Sequence, residues 1–182
     1  MSKKPSVPQS DSELIGEILR GRKHVFQELF TRYQADVKKL IWSFFRKKDI
    51  VDDLAQEIFE KAFSNVGSIQ KPEKFRCWLF QISRNTCVDF GRRKNILCET
   101  PMEYLENEPS APLISFEEST PADENAIKAL LEKLSPRDGL IVWLSYVEDF
   151  SYADIAQIVD LGEEAVRQRA FRAIRFLRGQ VK

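Results

Sequence analysis

Between Leu134 and Arg178 the chain holds two helix starts, one tight turn and one basic helix in close succession, an order few folds accommodate. Ser135, Pro136 and Asp138 supply an N-cap hydroxyl, a proline for the first turn and a carboxylate three residues past the cap. The spacing predicts a helix through Leu140, Val142, Leu144 and Val147. Ser151 and Asp154 repeat the signal for a short helix carrying Ile155, Ala156, Ile158 and Val159. Asp160-Leu161-Gly162 reads as a tight turn, with glycine expected in the conformation that other residues resist. A longer helix follows from about Glu163 to Gly179. Val166, Ala170, Ala173, Ile174 and Leu177 form its inward stripe. Arg167, Phe171, Arg175 and Arg178 share another face, with Gln168 and Arg172 beside it. Two helices joined by a short turn, the second basic outside, can place side chains in a major groove. The bland alternative is a helical hairpin with a solvated basic face. The arginines cluster on the second helix and not the first, which favours DNA.

Charge supports this only when it is mapped. The chain of 182 residues has 28 basic and 28 acidic side chains, for a formal net charge of zero. Basic groups gather at Arg20, Arg22 and Lys23, at Lys38, Lys39, Arg46, Lys47 and Lys48, at Arg92, Arg93 and Lys94, and along the last helix. From Glu99 to Glu124 there is no lysine or arginine. Averaging hides positive surfaces and one negative segment. No run is apolar enough to span a membrane or to form a signal core, so a cytoplasmic protein without membrane insertion is expected. Cys77, Cys87 and Cys98 lack paired-ligand spacing and read as free thiols, Cys98 being the only one placed to react. No metal or other cofactor is expected. His24 is the lone histidine, and no phosphate-cradling glycine loop accompanies it, so an enzyme is not expected.

The chain divides in the middle. Residues 97–121 hold Pro101, Pro109, Pro112 and Pro121 among Glu99, Glu103, Glu106, Glu108, Glu117 and Glu118, an acidic linker with Leu105, Leu113, Ile114 and Phe116 as sparse anchors. Helix signals resume at Thr120-Pro121 with Asp123, Ile127, Leu130 and Leu131. The expected organisation is a disordered tail over 1–10, a helical domain over 11–96, the linker over 97–121 and a helix-turn-helix domain over 122–182. The fold class is all-α.

In the first half, His24 to about Phe45 carries Phe26, Leu29, Phe30, Tyr33, Val37, Leu40, Ile41 and Phe44 at core spacing. Asp49 and Asp52 open the next helix. Its apolar stripe is Val51, Leu54, Ile58 and Ala62, and its polar face is Asp53, Gln56, Glu57 and Glu60. Carboxylates at a helix start suit its dipole, which would account for Asp52 and Asp53 but not for Gln56 and Glu57, although a solvated face would account for those. The segment from Asn65 to Lys74 is turn chemistry. A helix from about Lys74 to Lys94 turns Phe75, Trp78, Leu79, Ile82 and Thr86 one way, and Asn85, Asp89, Arg92 and Arg93 the other. Trp78 is expected in the core.

Taken in order, these segments resemble a known family. Asp52-Asp53-Leu54-Ala55-Gln56-Glu57-Ile58-Phe59, the run from Phe75 to Asn85, and Asp89-Phe90-Gly91-Arg92-Arg93 are similar to region 2 of the extracytoplasmic-function (ECF) RNA polymerase sigma factors. Leu134-Ser135-Pro136-Arg137, Phe150 to Ala156, and Ala165 to Ala173 are similar to their region 4. The resemblance implies a subunit that binds core RNA polymerase and directs transcription initiation at promoter DNA. It implies that Asp52, Asp53, Gln56 and Glu57 dock on the clamp helices of the polymerase. It implies that Ser68, Ile69, Lys71, Lys74 and Asn85 capture a base flipped from the −10 element, with Arg92, Arg93 and Lys94 on nearby phosphates. Asparagine both donates and accepts, as reading an unstacked base edge requires. Arg167, Gln168, Phe171, Arg172 and Arg175 would meet the −35 element. An anti-sigma factor is the implied regulator.

Two departures stand out. Gly162 and Ala165 occupy positions where many members carry hydroxyls able to bind phosphate. Glu163 and Glu164 suit a helix N-terminus but approach DNA with the wrong sign. They sustain a rival reading, a sigma-like decoy that titrates an anti-sigma factor without initiating transcription. The basic residues at Arg92 to Lys94 and Arg167 to Arg178 argue against it. A plain dimeric repressor would not need the face from Asp52 to Glu57.

Overall fold

A computed structural model describes residues 9–45, 47–94 and 133–180. These are helical, with no strand among them. The chain forms two compact units, Met1–Asn95 and Ile96–Lys182. The expected linker, the helix signals from Thr120 to Leu131, and Cys98 lie outside the described residues.

The first helix of this unit is capped at Ser10, inside the segment expected to be a tail. Ser10 Oγ accepts from the Glu13 amide at 3.3 Å, and the Glu13 carboxylate accepts from the Ser10 amide at 2.8 Å. This capping box opens α1, Asp11–Leu19, an element the periodicity reading passed over. Leu14, Ile15 and Ile18 are its buried face. Asp11 accepts from both Arg32 and Tyr33, which ties α1 to the next helix. Gly21, at φ +94°, makes the turn between them, a backbone conformation that favours glycine.

Helix α2, Phe26–Phe45, is the centre of this unit and packs against α1, α3 and α4. Its buried stripe is Phe26, Leu29, Tyr33, Val37, Leu40, Ile41 and Phe45. Phe30 and Phe44, expected in the core, are only half-buried; at the helix end it is Phe45 that takes the inward position. Helix α3, Lys48–Asn65, buries Val51, Leu54, Ala55, Ile58, Phe59 and Ala62. Helix α4, Phe75–Lys94, buries Phe75, Leu79, Phe80 and Cys87 among others. Aromatic pairs tie the helices: Phe26 to Phe63 at 5.1 Å, Phe30 to Phe59 at 4.7 Å and Phe45 to Phe90 at 5.4 Å between centroids. Each fully buried aliphatic or aromatic side chain contributes about 1.5–3 kcal/mol. Cys77 and Cys87 are both free and buried. Burial pushes the Cys87 thiol far above its usual range, and Glu57 adds to the effect.

In the second unit, Ser135 and Ser151 each accept from the amide three residues on, at 3.1 Å, and each donates to that residue's carboxylate at 2.7 Å. They open α5, Pro136–Tyr146, and α6, Tyr152–Val159. Val147, expected within the helix, caps α5 and is exposed. The tight turn forms, but Asp160 takes the left-handed conformation at φ 56°, and Gly162 does not. Aspartate tolerates this region better than most residues. Helix α7, Glu163–Gln180, then packs on α5 and α6 through Val166, Ala170, Ala173 and Leu177. Leu134, Val142, Ala173 and Leu177 form one core cluster, with Ile174 and Phe176 packed against it. Under this helix pair, Asp138 is 2 % exposed and accepts from Arg169 at 3.0 Å.

Candidate nucleic-acid interface

Polar side chains collect in three places, two in the first unit and one in the second. The first is the outer face of α3. Asp53, Gln56 and Glu60 are exposed there, and Glu57 is half-buried. The helix starts at Lys48, so Asp52 and Asp53 stand past its first turn, and only Asp49 suits its dipole. Asp52 pairs with Lys38 of α2 at 2.7 Å, which holds its carboxyl below the usual carboxylate range. Gln56 donates to Glu60 at 2.8 Å. Glu57 pairs with Lys61 at 2.7 Å and meets Arg93 of α4 at 3.8 Å.

The second place is a cleft of about 340 Å³ between α3, α4 and the turn that joins them. Lys61 and Asn65 line it from α3, Ser68 from the turn, and Trp78, Ile82, Asn85, Thr86 and Asp89 from α4. Its rim is stitched by hydrogen bonds. Ser68 Oγ donates to the Asn65 carbonyl at 2.7 Å, Asn65 Nδ2 to the Lys61 carbonyl at 2.8 Å, and Lys61 Nζ to Thr86 Oγ1 at 3.3 Å. Asn85 is exposed and accepts from Arg84 at 3.0 Å. The cleft thus sets an aromatic wall beside several hydrogen-bond donors and acceptors.

Of the residues expected to hold the −10 element, the structure brings Ser68 and Asn85 into this cleft. Ile69, Lys71 and Lys74 sit on the two short 3-10 turns, Val66–Ser68 and Pro72–Lys74, or between them, outside the cleft lining. Arg92, Arg93 and Lys94 are exposed at the C-terminal end of α4. The expectation for Trp78 is corrected. It is half-buried on the cleft wall, its ring 5.8 Å from Phe75. Trp78, Ile82, Asn85 and Asp89 recur at helical steps, so the two faces assigned to α4 converge on one groove. Lys61, Asn65 and Asp89 were missed as cleft residues. Glu57, Lys61 and Asn65 at steps of four were the available signal.

The third place is the outer side of α7. Arg167 reaches back along the helix to Glu163 and Glu164, at 3.3 and 3.7 Å. Gln168 donates to Glu164 at 3.4 Å. Phe171 and Arg172 are half-buried, and Arg175 and Arg178 are exposed. The two glutamates therefore neutralise the first arginine of this helix.

Family models described as "Sigma-70 region 2" and "Sigma-70, region 4" match residues 29–96 and 124–177. The ECF RNA polymerase sigma-E factor of Haemophilus influenzae is 30% identical over 95% of this chain and 96% of its own length. This chain belongs to the ECF sigma factors. The RNA polymerase sigma-H factor of Pseudomonas aeruginosa is also 30% identical, over 91% of this chain and 90% of its own. Two solved structures share the fold: CnrH in complex with the cytosolic domain of CnrY, at TM-score 0.67 and 21% identity over 95% of this chain and 97% of that one, and RpoE in complex with the anti-sigma factor NepR from Bartonella quintana, at TM-score 0.64 and 23% identity over 85% of this chain and 94% of that one. In this sigma factor the α3 face and the cleft lie within the region 2 match, and α7 carries the region 4 match to Leu177. Helix α1 stands upstream of both. No helix among the described residues is long and apolar enough to cross a membrane.

Proposed function

We propose that this sigma factor docks on core RNA polymerase through Asp53, Gln56 and Glu57, takes a −10 base into the cleft at Asn85, and reads the −35 element with α7. The observation that carries the reading is the cleft itself. It joins a half-buried tryptophan to the side chains of Asn85, Ser68 and Lys61, and the exposed cations Arg92 and Lys94 end the same helix. Bases stack on aromatic rings at about 1–3 kcal/mol each, and a hydrogen-bonding wall adds selection. Asp53 and Gln56 offer an acidic and polar face to a basic partner surface. Asp52 is the weakest member of that set, because Lys38 already holds it. An anti-sigma factor is the proposed regulator, supported by the shared fold with RpoE in its complex with NepR. Run-off transcription with bare core polymerase and a promoter library tests the proposal. Specific transcripts that require this chain are the expected result, and their absence with core binding retained overturns it.

One observation favours a second reading. Glu163 and Glu164 neutralise Arg167 at the start of the recognition helix. A decoy that titrates an anti-sigma factor would tolerate that loss of DNA affinity. It predicts tight anti-sigma binding and core binding with no open complex at any promoter.

A further inference from the structure

Glu57 lies where the outer face of α3 meets the cleft. One of its oxygens, Oε1, stands 2.7 Å from Lys61 Nζ and 3.8 Å from Arg93 Nη2. Lys61 belongs to the cleft, where its ammonium also reaches Thr86 Oγ1 at 3.3 Å. Arg93 belongs to the basic end of α4. One carboxylate of the α3 face thus partly neutralises two cations, one in the cleft and one at the basic end of α4.

Resting on the function proposed above, we propose that Glu57 is a shared counter-ion that couples the two surfaces. Capture of its carboxylate by a basic polymerase surface releases Lys61 and Arg93 to the phosphates of the melted strand. The chemistry permits the exchange. Both pairs are partly solvent-exposed, with side chains 37–63% accessible, so neither is held by burial. Lysine carries a compact charge on a flexible four-carbon stem and can swing between a carboxylate and a phosphate without moving the helix. An approaching polymerase cation repels both groups from Glu57 while it competes for the same carboxylate. In the free chain Glu57 lowers the positive potential beside the cleft. In the holoenzyme that restraint is spent on the polymerase.

The test uses the full chain without polymerase and a mixed-sequence single-stranded DNA oligonucleotide, titrated across salt. Glu57→Gln keeps the shape and removes the charge. It is expected to tighten binding by about fivefold at low salt, the scale of exposed ion pairs. It should steepen the slope of log affinity against log salt by about 0.7 for each freed cation that reaches a phosphate. Glu60→Gln is the control, since it removes the same charge from the same helix at an exposed position that pairs with neither cation. It is expected to leave the slope unchanged. Adding Lys61→Met to Glu57→Gln should cancel part of the gain. An equal gain from Glu60→Gln, or an unchanged slope in a folded Glu57→Gln, overturns the coupling. Failure of the wild type to bind core polymerase would instead overturn the sigma reading, and pull-down with core in parallel separates the two failures.

Discussion

Asp138 and Arg169 are 31 residues apart in sequence and 3.0 Å apart in space, and their ion pair fastens α5 to α7. Asp138 Oδ1 accepts from Arg169 while Oδ2 accepts from Ser135, so one buried carboxylate both caps α5 and holds α7.

Removing Arg169 leaves that carboxylate buried with a single partner. Arg169→Met is expected to destabilise the helix-turn-helix unit by about 3 kcal/mol, the low end for breaking a buried pair, because Arg169 is itself a third exposed. Urea unfolding followed by fluorescence of Trp143, which is buried in the same unit, measures this. A loss under about 1 kcal/mol would mean that water replaces the arginine.

On α3, Asp53→Lys should weaken co-purification with core polymerase and change stability by less than about 0.5 kcal/mol, since the position is exposed. Undiminished co-purification would remove Asp53 from the docking face.

In the cleft, Asn85→Ala should lower transcription from a cognate promoter and relax base preference at a single −10 position, by about 1–3 kcal/mol of discrimination. Selection from a randomised −10 library reads the change directly. A mutant that keeps the wild-type preference contradicts the assignment.

On α7, Glu163→Gln with Glu164→Gln should free Arg167. If Arg167 then reaches a phosphate, holoenzyme binding to a −35 site gains affinity, and its salt slope steepens by about 0.9. If the glutamates instead aim Arg167 at a base edge, preference at that position relaxes with little change in slope. No response in either quantity would show that Arg167 stands clear of DNA.

The helix boundaries were legible because capping chemistry is local. Ser135 with Asp138 and Ser151 with Asp154 announce α5 and α6 within four residues each. The same logic could have found α1, since Ser10 and Glu13 form a capping box in plain view, but three buried aliphatic residues make a short stripe to recognise. The turn was legible as a turn and misassigned within it. Gly162 can adopt a left-handed backbone and Asp160 does, because the residue that ends α6 is set by where α7 must begin. What the sequence could not show was contact between elements. Trp78 looked like core until α3 and the Asn65 to Lys74 turn stood beside it. Nothing in the spacing of Asp138 and Arg169, or of Glu57 and Arg93, reveals that helix crossing brings them together.

The burial of Cys77 and Cys87 has a practical consequence. Thiols react as thiolates and only when a reagent reaches them, so both are silent while the first unit is closed. Both belong to the first unit, and the chain from Leu134 to Arg178 has no cysteine. The rate at which a disulfide reagent consumes these two thiols therefore clocks the opening of the first unit alone. A polymerase or anti-sigma subunit that clamps this unit would slow the clock, and the slowing would give its hold on that half of the chain without any label attached.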